Sequence, residues 1–385
     1  MVTISERGTL LEDTRFEDAI RDLLSLKEEE GVLSVYLDLD PDVTQRGGHE
    51  ARLIDLWKPL RQRPVSQWMR GRLEYEIDAV MADVRGWRQA PGRAVAMFYS
   101  GPAGVRMTLP LDFPIRSLAR FEARPLLAPL LAALDAHRRY AVVLFDHARA
   151  RIITVFLGRV EEEVVLHADV LPHSRVGGFG GYLDKRYAQY REEQIDAHAR
   201  RTIEHLWAID GTTHLRTLVL AGPEEALASL RKAMPAQLAR AVAATLHLDL
   251  DVSTAEVVRH VESVEAVVRR REDEKLVHDL IDLAHRGKAA IGWDETLQAL
   301  AEGRVHALVL PRDETRAGVQ CPEGHFAATP KLDCCPICGE KLWETDDVAE
   351  AALRAALLHD AHVRFVGNGA AELLAGRGPV AQLRY

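Results

Sequence analysis

Cys321-Pro322-Glu323-Gly324-His325 and Cys335-Pro336-Ile337-Cys338-Gly339 place metal-ligating side chains at knuckle spacing in one short stretch. A Cys-x-x-Cys turn aims two thiolates at one point, and the glycine after it relieves the backbone. The upstream Cys-x-x-x-His supplies a second pair. Together Cys321, His325, Cys335 and Cys338 give a tetrahedral Cys3His set suited to structural zinc. Cys334, beside Cys335, is an alternative ligand in place of His325. Four protein ligands leave no coordination position open to substrate, so the ion would stabilise a small lobe. Clustered cysteines in a chain this long point to metal rather than to a disulfide framework.

The second chemical feature is Arg175-Val176-Gly177-Gly178-Phe179-Gly180-Gly181-Tyr182. Glycine contributes no side chain to packing and loses the most backbone entropy on ordering, so a cluster of four needs another reason. From Tyr182 to Ala208 there is no glycine or proline, which predicts one long helix directly behind the loop. A glycine loop on a rigid rod suits delivery of backbone into a crowded site. Arg175, Lys185, Arg186 and Arg191 oppose Asp184 alone between His173 and Arg191, a local basic surplus.

Other chemistries are not supported. There is no Gly-x-x-x-x-Gly-Lys-Ser/Thr loop, no Gly-x-Ser-x-Gly elbow and no His-Glu-x-x-His helix. The glycine loop lies too far beyond its preceding strand to be a dinucleotide cradle. Asp146 and His147 follow a strand, but with Asp169 as the best further acid they do not complete a nuclease site.

Elements that must position these residues can be read from hydrophobic runs and breakers. In the first third, Phe16 to Glu30 reads as a helix and Val32 to Leu37 as a buried strand. Helices follow over His49–Arg61 and Val65–Arg88, then strands Arg93–Tyr99 and Val105–Leu109, with Pro110–Pro129 as a connector. In the middle, Tyr140–Phe145, Ala150–Leu157 and Glu163–Ala168 read as three successive strands. The glycine loop and long helix come next, then strand Leu215–Ala221, helix Pro223–Met234, strand Ala241–Leu248 and helix Thr254–Arg271. In the last third, helices Asp273–Arg286 and Trp293–Glu302 precede strand Val305–Leu310 and the cysteine segment. Helix Asp346–Leu358, strand His362–Val366, a helix near Ala370–Ala375 and strand Val380–Tyr385 close the chain.

The fold class is therefore α/β in three domains. Residues 1–130 form a mixed α/β N-terminal domain whose recognition role is open. Residues 131–271 form a ribonuclease-H-like middle domain with the Gly-rich loop and long helix. Residues 272–385 form a C-terminal α/β sandwich with a zinc-ribbon insertion at about 312–345. The 385-residue length, 47% hydrophobic and 28% charged, agrees with a multidomain globular protein. A net charge of −9 argues against a general nucleic-acid coat protein, and no DNA partner is expected. No membrane span or signal peptide is expected, which makes the cytoplasm the expected location.

These pieces together resemble the archaeal and eukaryotic class I peptide chain release factor family, specifically its bacterial and archaeal relatives. The resemblance covers the middle and C-terminal domains, roughly Arg138 to Tyr385. It rests on the Gly-Gly loop with its long helix, the zinc-ribbon excursion, and the ending Gly378-Pro-Val-Ala-Gln-Leu-Arg-Tyr385. The first 130 residues carry no Asn-Ile-Lys-Ser-like codon-reading motif. In the family the loop reads Gly-Gly-Gln with a basic helix behind it. Here Gly177 and Gly178 match the glycines, Lys185-Arg186-Tyr187 with Arg191 farther on looks like the basic start of the helix, set off by two extra residues among Gly180 to Tyr182, and Phe179 stands at the glutamine position.

The resemblance implies a ribosome- and tRNA-associated factor, with a translational GTPase as partner. Gly177, Gly178 and Phe179 would form the loop tip at the peptidyl-tRNA ester. Arg175, Tyr182, Lys185, Arg186 and Arg191 would contact RNA. Without glutamine the expectation is weak or absent catalysis; a peptidyl-tRNA hydrolase in ribosome rescue and a protein-interaction scaffold without RNA binding are the alternatives.

Overall fold

The computed structural model describes residues 14–40, 48–63, 66–137, 139–168, 181–213, 215, 217–312, 314–325, 327–328, 332–345 and 347–384. Side chains are described in these except at 14–15, 17, 181–191, 212–213 and 368. The chain is mixed α/β and forms two compact units, residues 1–136 with 272–385, and residues 137–271.

The first unit begins with helix Thr14–Ser25 and strand β1 (Val32–Asp38), followed by helices Gly48–Gln62 and Gln67–Gly86. Strands β2 (Ala94–Ser100), β3 (Val105–Leu111) and β4 (Leu118–Glu122) complete an antiparallel sheet of order β3-β2-β1-β4. β1 is central, and it needs cover on both faces. Leu33, Val35 and Leu37 turn to one side and pack with Leu53 and Trp57 of helix Gly48–Gln62 and Leu73 and Ile77 of helix Gln67–Gly86. On the other side Ser34 and Tyr36 are fully buried yet satisfied: Leu126 N–H donates to Ser34 Oγ at 2.9 Å, and Tyr36 OH donates to the Leu126 carbonyl at 2.6 Å.

β4 corrects the connector expected over Pro110–Pro129. Leu118–Glu122 is a strand because Tyr36, Val35 and Leu33 of β1 lie opposite Leu118, Ala119 and Phe121. Partner availability, rather than local pattern, made it a strand. Helix Ala128–Ala136 then starts inside the same stretch, and its last residues, assigned above to the middle domain, lie in the first unit.

The second unit is built on β5 (Tyr140–Phe145), β6 (Arg149–Phe156), β7 (Arg159–His167), β8 (Thr217–Ala221) and β9 (Val242–Leu246), in the order β7-β6-β5-β8-β9. β5, β6 and β7 pair antiparallel, and β8 and β9 add in parallel beyond β5. Helices cover both faces. Ala199, Ile203 and Leu206 of helix Gly181–Thr213, with Leu227 and Leu230 of helix Glu224–Ala233, pack on Val143, Phe145 and Ile152. Val257 and Val261 of helix Thr254–His285 pack on Val142, Leu144 and Ile153. β7 is an exposed edge carrying Glu161, Glu162 and Glu163, charges that discourage strand addition. The expected break near Arg271 is absent. Thr254–His285 is one helix, because Arg270, Arg271, Glu272 and Asp273 include neither glycine nor proline to stop it.

The first unit resumes with β10 (Ala289–Ile291), helix Trp293–Ala301 and β11 (Val305–Pro311). The cysteine lobe follows as β12 (Gly318–Gln320), β13 (Ala327–Ala328) and β14 (Trp343–Thr345), a small sheet of order β13-β12-β14. Helix Val348–Leu358, β15 (His362–Val366), helix Asn368–Leu374 and β16 (Val380–Leu383) close the chain. β10, β16, β11 and β15 form the last sheet, in which β11 and β15 are parallel. The cysteine lobe is thus an excursion between β11 and the helix returning to β15, as the alternation of elements predicts.

Candidate functional site

Among its described residues the cysteine lobe has only a small apolar core of its own. Its buried cluster is Val319, Cys321, Ala328, Cys335 and Leu342, so two of its five members are thiols. External ties help place it within the first unit: Lys27 Nζ meets Glu323 at 2.8 Å, and Arg124 donates to the Pro322 carbonyl at 2.9 Å. A lobe with so little to bury needs a further cross-link to fold.

Its ligand atoms converge. One atom each from Cys321, His325, Cys335 and Cys338 lie within 4.8 Å of one another, the only such group of His, Cys, Asp and Glu among the described residues. Cys321 Sγ is 3.5 Å from Cys338 Sγ and 3.9 Å from His325 Nδ1. The knuckle folds as its spacing requires. Gly339 N–H donates to the Cys335 carbonyl at 2.9 Å, and Gly339 takes φ of +79°, a conformation open to glycine. Ile337 N–H points at Cys335 Sγ at 3.4 Å.

The electrostatics of this cluster favour a bound cation. Burial pushes the Cys335 thiol up, but backbone N–H groups of Cys338 and Ile337 and the neighbouring thiols outweigh it and bring it below its ordinary value. A backbone N–H at Glu340 favours the Cys338 thiolate, yet burial and the sulfurs of Cys321 and Cys335 push that thiol up to about 11. Adjacent thiolates resist ionising together, and a metal ion removes that conflict. The four residues can therefore hold a metal ion.

Cys334, the alternative ligand, is exposed and stands outside the group; its backbone bridges to Lys341. Neighbouring residues of extended backbone face opposite ways, so turning Cys335 inward turns Cys334 outward.

Arg175, Gly177, Gly178 and Phe179 lie outside the described residues. Tyr182, Lys185, Arg186 and Arg191 fall in helix Gly181–Thr213, where the rod behind the loop was expected, and their side chains are likewise outside the description. Along the helix, 182, 185 and 186 share one row by spacing, whereas 191 lies half a turn off it. Asp146 has a structural role: its carboxylate accepts the backbone N–H groups of Ala148 at 2.7 Å and Arg149 at 2.6 Å, closing the β5–β6 turn.

Sequence reading missed a buried polar junction in the first unit. Glu350 and Arg354, an i,i+4 pair that looks solvated in sequence, are buried and bonded to backbone at the start of helix Ala128–Ala136. Asp135, at that helix's other end, accepts Phe365 N–H at 3.0 Å, and Arg364 ties it to Asp273. The only local signal was an acid and a base within otherwise alanine- and leucine-rich helix Val348–Leu358.

A five-stranded mixed sheet with a 33-residue helix, plus a Cys3His lobe elsewhere in the chain, is the combination the resemblance implies. Residues 125–266 match the family model of bacterial archaeo-eukaryotic release factor family 10, and over that segment the chain is similar to that family. No curated protein matches the sequence. Among solved structures, an archaeal translation termination factor, aRF1, is 15% identical over 96% of this chain and 97% of its own, with a TM-score of 0.26. Archaeoglobus fulgidus Pelota is 15% identical over 76% of this chain and 79% of its own, with a TM-score of 0.36. Dom34 of S. cerevisiae, a translation termination-like factor, is 12% identical over 73% and 72%, with a TM-score of 0.38. Among the described residues no helix is long and apolar enough to cross a membrane.

Proposed function

We propose that the protein is a release-factor-like translation factor that associates with the ribosome or tRNA and has weak or no hydrolytic activity. The observation that carries this is the family match over residues 125–266, which includes the Gly-Gly loop and the long helix. Gly177 and Gly178 allow backbone to approach a substrate closely. Phe179 offers no side-chain hydrogen bond, so it cannot place a water against the peptidyl-tRNA ester. Its backbone N–H remains, and one donor can still stabilise a developing oxyanion. Arg175, Lys185, Arg186 and Arg191 are the candidates for phosphate contacts, with Tyr182 or Phe179 stacking on a base.

Zinc is the ion this reading assigns to Cys321, His325, Cys335 and Cys338. Zn–S bonds of about 2.3 Å in a tetrahedron place sulfurs about 3.8 Å apart, close to the 3.5 Å between Cys321 and Cys338. With four protein ligands the ion is structural. A translational GTPase as partner also belongs to this reading, through the family resemblance.

Co-sedimentation of the protein with ribosomes on sucrose gradients at two salt concentrations tests the proposal. Association at low salt that weakens steeply as salt rises is the expected result, since phosphate contacts release counterions. No association even at low salt sinks the translation reading and leaves a protein-interaction scaffold, the reading that the net charge of −9 favours.

A further inference from the structure

Helix Gln67–Gly86 buries one side, through Leu73, Ile77, Val80 and Val84, and leaves the other bare. The bare side carries Trp68 and Tyr75, which are 56% and 59% exposed and rank among the most exposed large apolar side chains of the described residues. The two rings stand seven residues, about 10.5 Å, apart along the helix. Gly71 lies between them, and a Cβ there would meet nothing within 4 Å. Trp68, Gly71, Tyr75, Asp78 and Ala82 are all exposed. They follow the alternating three- and four-residue spacing of a helix–helix seam, within about 80° of arc. We propose that this seam is a homodimer contact, in which the helix of one copy packs antiparallel on that of a second copy across Gly71.

The seam is complementary to itself in that arrangement. A twofold axis between Gly71 and Arg72 sets position 68 of one copy opposite position 75 of the other. Each Trp68 then meets Tyr75 of the second copy, so the same aromatic contact forms twice. Gly71 beside the axis lets the two backbones approach, where a side chain would hold them apart.

The charges answer in the same way. Arg70 and Glu74 lie on one flank of the seam, and the twofold axis carries Arg70 of one copy to Glu74 of the other, again twice. Glu74 is already oriented by Arg61 through bonds of 2.8 and 2.7 Å. Arg72 is close to the axis and approaches its own counterpart. Glu76 and Glu30 meet its charge at 3.2 and 3.3 Å, and it stands 5.2 Å from the Tyr75 ring centroid, so that approach is not a bare repulsion. A parallel pairing aligns equal positions and makes neither exchange. Two half-exposed rings per copy give a small interface, the class of weak and reversible association.

Sedimentation velocity of the full-length protein between about 1 and 200 µM reads the proposal, with a dimer dissociation constant expected on the order of 10 µM. Tyr75→Ala and Gly71→Leu are each expected to weaken association by about tenfold or more. Leucine at position 71 enters open space and is a better helix former than glycine, so this variant tests approach without cost to the fold. Arg70→Glu alone and Glu74→Arg alone set like charges opposite and are expected to weaken the dimer. An equal mixture of those two variants restores both pairs and is expected to associate more tightly than either. Monomer at the highest concentration would overturn the proposal and leave the face to a foreign partner. A dimer unaffected by both Gly71→Leu and Tyr75→Ala, or a mixture no more associated than its components, would overturn it as well. None of these outcomes depends on ribosome association.

Discussion

Glu350 accepts the backbone N–H of Leu127 at 3.0 Å, from 223 residues away in the sequence. Its other oxygen takes the N–H of Ala128 at 2.8 Å, so one carboxylate satisfies donors at the start of helix Ala128–Ala136. Arg354 pairs with Glu350 at 3.2 Å and donates to the carbonyls of Leu24 and Pro125. Burial alone pushes Glu350 up and Arg354 down, so each ion depends on the other and on these backbone partners.

Glu350→Ala is expected to destabilise the protein by about 3–5 kcal/mol, because it strands a buried arginine and two helix donors. Urea unfolding checks this. Replacing both partners, Glu350→Leu with Arg354→Met, is expected to recover much of the loss, since no unpaired charge then stays buried. A double variant no better than the single would mean that the damage lies in packing.

Metal analysis by mass spectrometry is expected to find one zinc per chain. Cys335→Ser and Cys338→Ser are expected to lose it, and Cys334→Ser to keep it. His325→Ala is expected to weaken binding. Retention by His325→Ala that disappears when Cys334 is also changed would reassign the fourth ligand. Chelation is expected to increase proteolysis between β11 and helix Val348–Leu358, where the buried cluster among the described residues has five members.

His198, on the long helix, is fully buried and stacks on Phe145 with centroids 5.0 Å apart. Burial lowers its pKa; Arg201 and His167 add to this, and the Arg149 carbonyl and Asp146 oppose it. The unfolded imidazole takes up a proton near pH 6.5 and the folded one only below that. Stability is therefore full above about pH 6.5 and is lost as pH falls toward the folded pKa, at no more than about 1.4 kcal/mol per pH unit. Unfolding of His198→Phe between pH 5 and 8 (about the range of histidine titration) is expected to show a shallower acid loss than the unaltered chain. Identical slopes would refute the assignment.

Phe179→Gln is expected to raise release of labelled peptide from peptidyl-tRNA on ribosomes by about 10²–10³, the usual worth of one positioned donor. Gly178→Ala in the same background is expected to abolish the gain. Strong release by the unaltered chain that Gly178→Ala removes would favour a peptidyl-tRNA hydrolase instead.

Much of this architecture is legible locally. Val32–Leu37 and Tyr140–Phe145 are runs too apolar to lie anywhere but inside a sheet, and both are central strands. The absence of glycine and proline from Tyr182 to Ala208 foretells a single rod. Cys-x-x-x-His and Cys-x-x-Cys-Gly name the four residues whose ligand atoms converge, because knuckle geometry is a property of a few consecutive residues. Each depends on periodicity, backbone freedom or ligand spacing within a short window.

Only the tertiary structure decided the rest. Leu118–Glu122 became a strand because β1 offered it a pairing edge. His325 joined the cluster over Cys334 through the direction each side chain takes from its backbone. Glu350 and Arg354 look solvated in sequence and are buried, since their partners come from Leu24 and the stretch Pro125–Ala128. Periodicity tells which face a residue takes, but whether a polar group is satisfied depends on atoms that arrive from elsewhere in the chain.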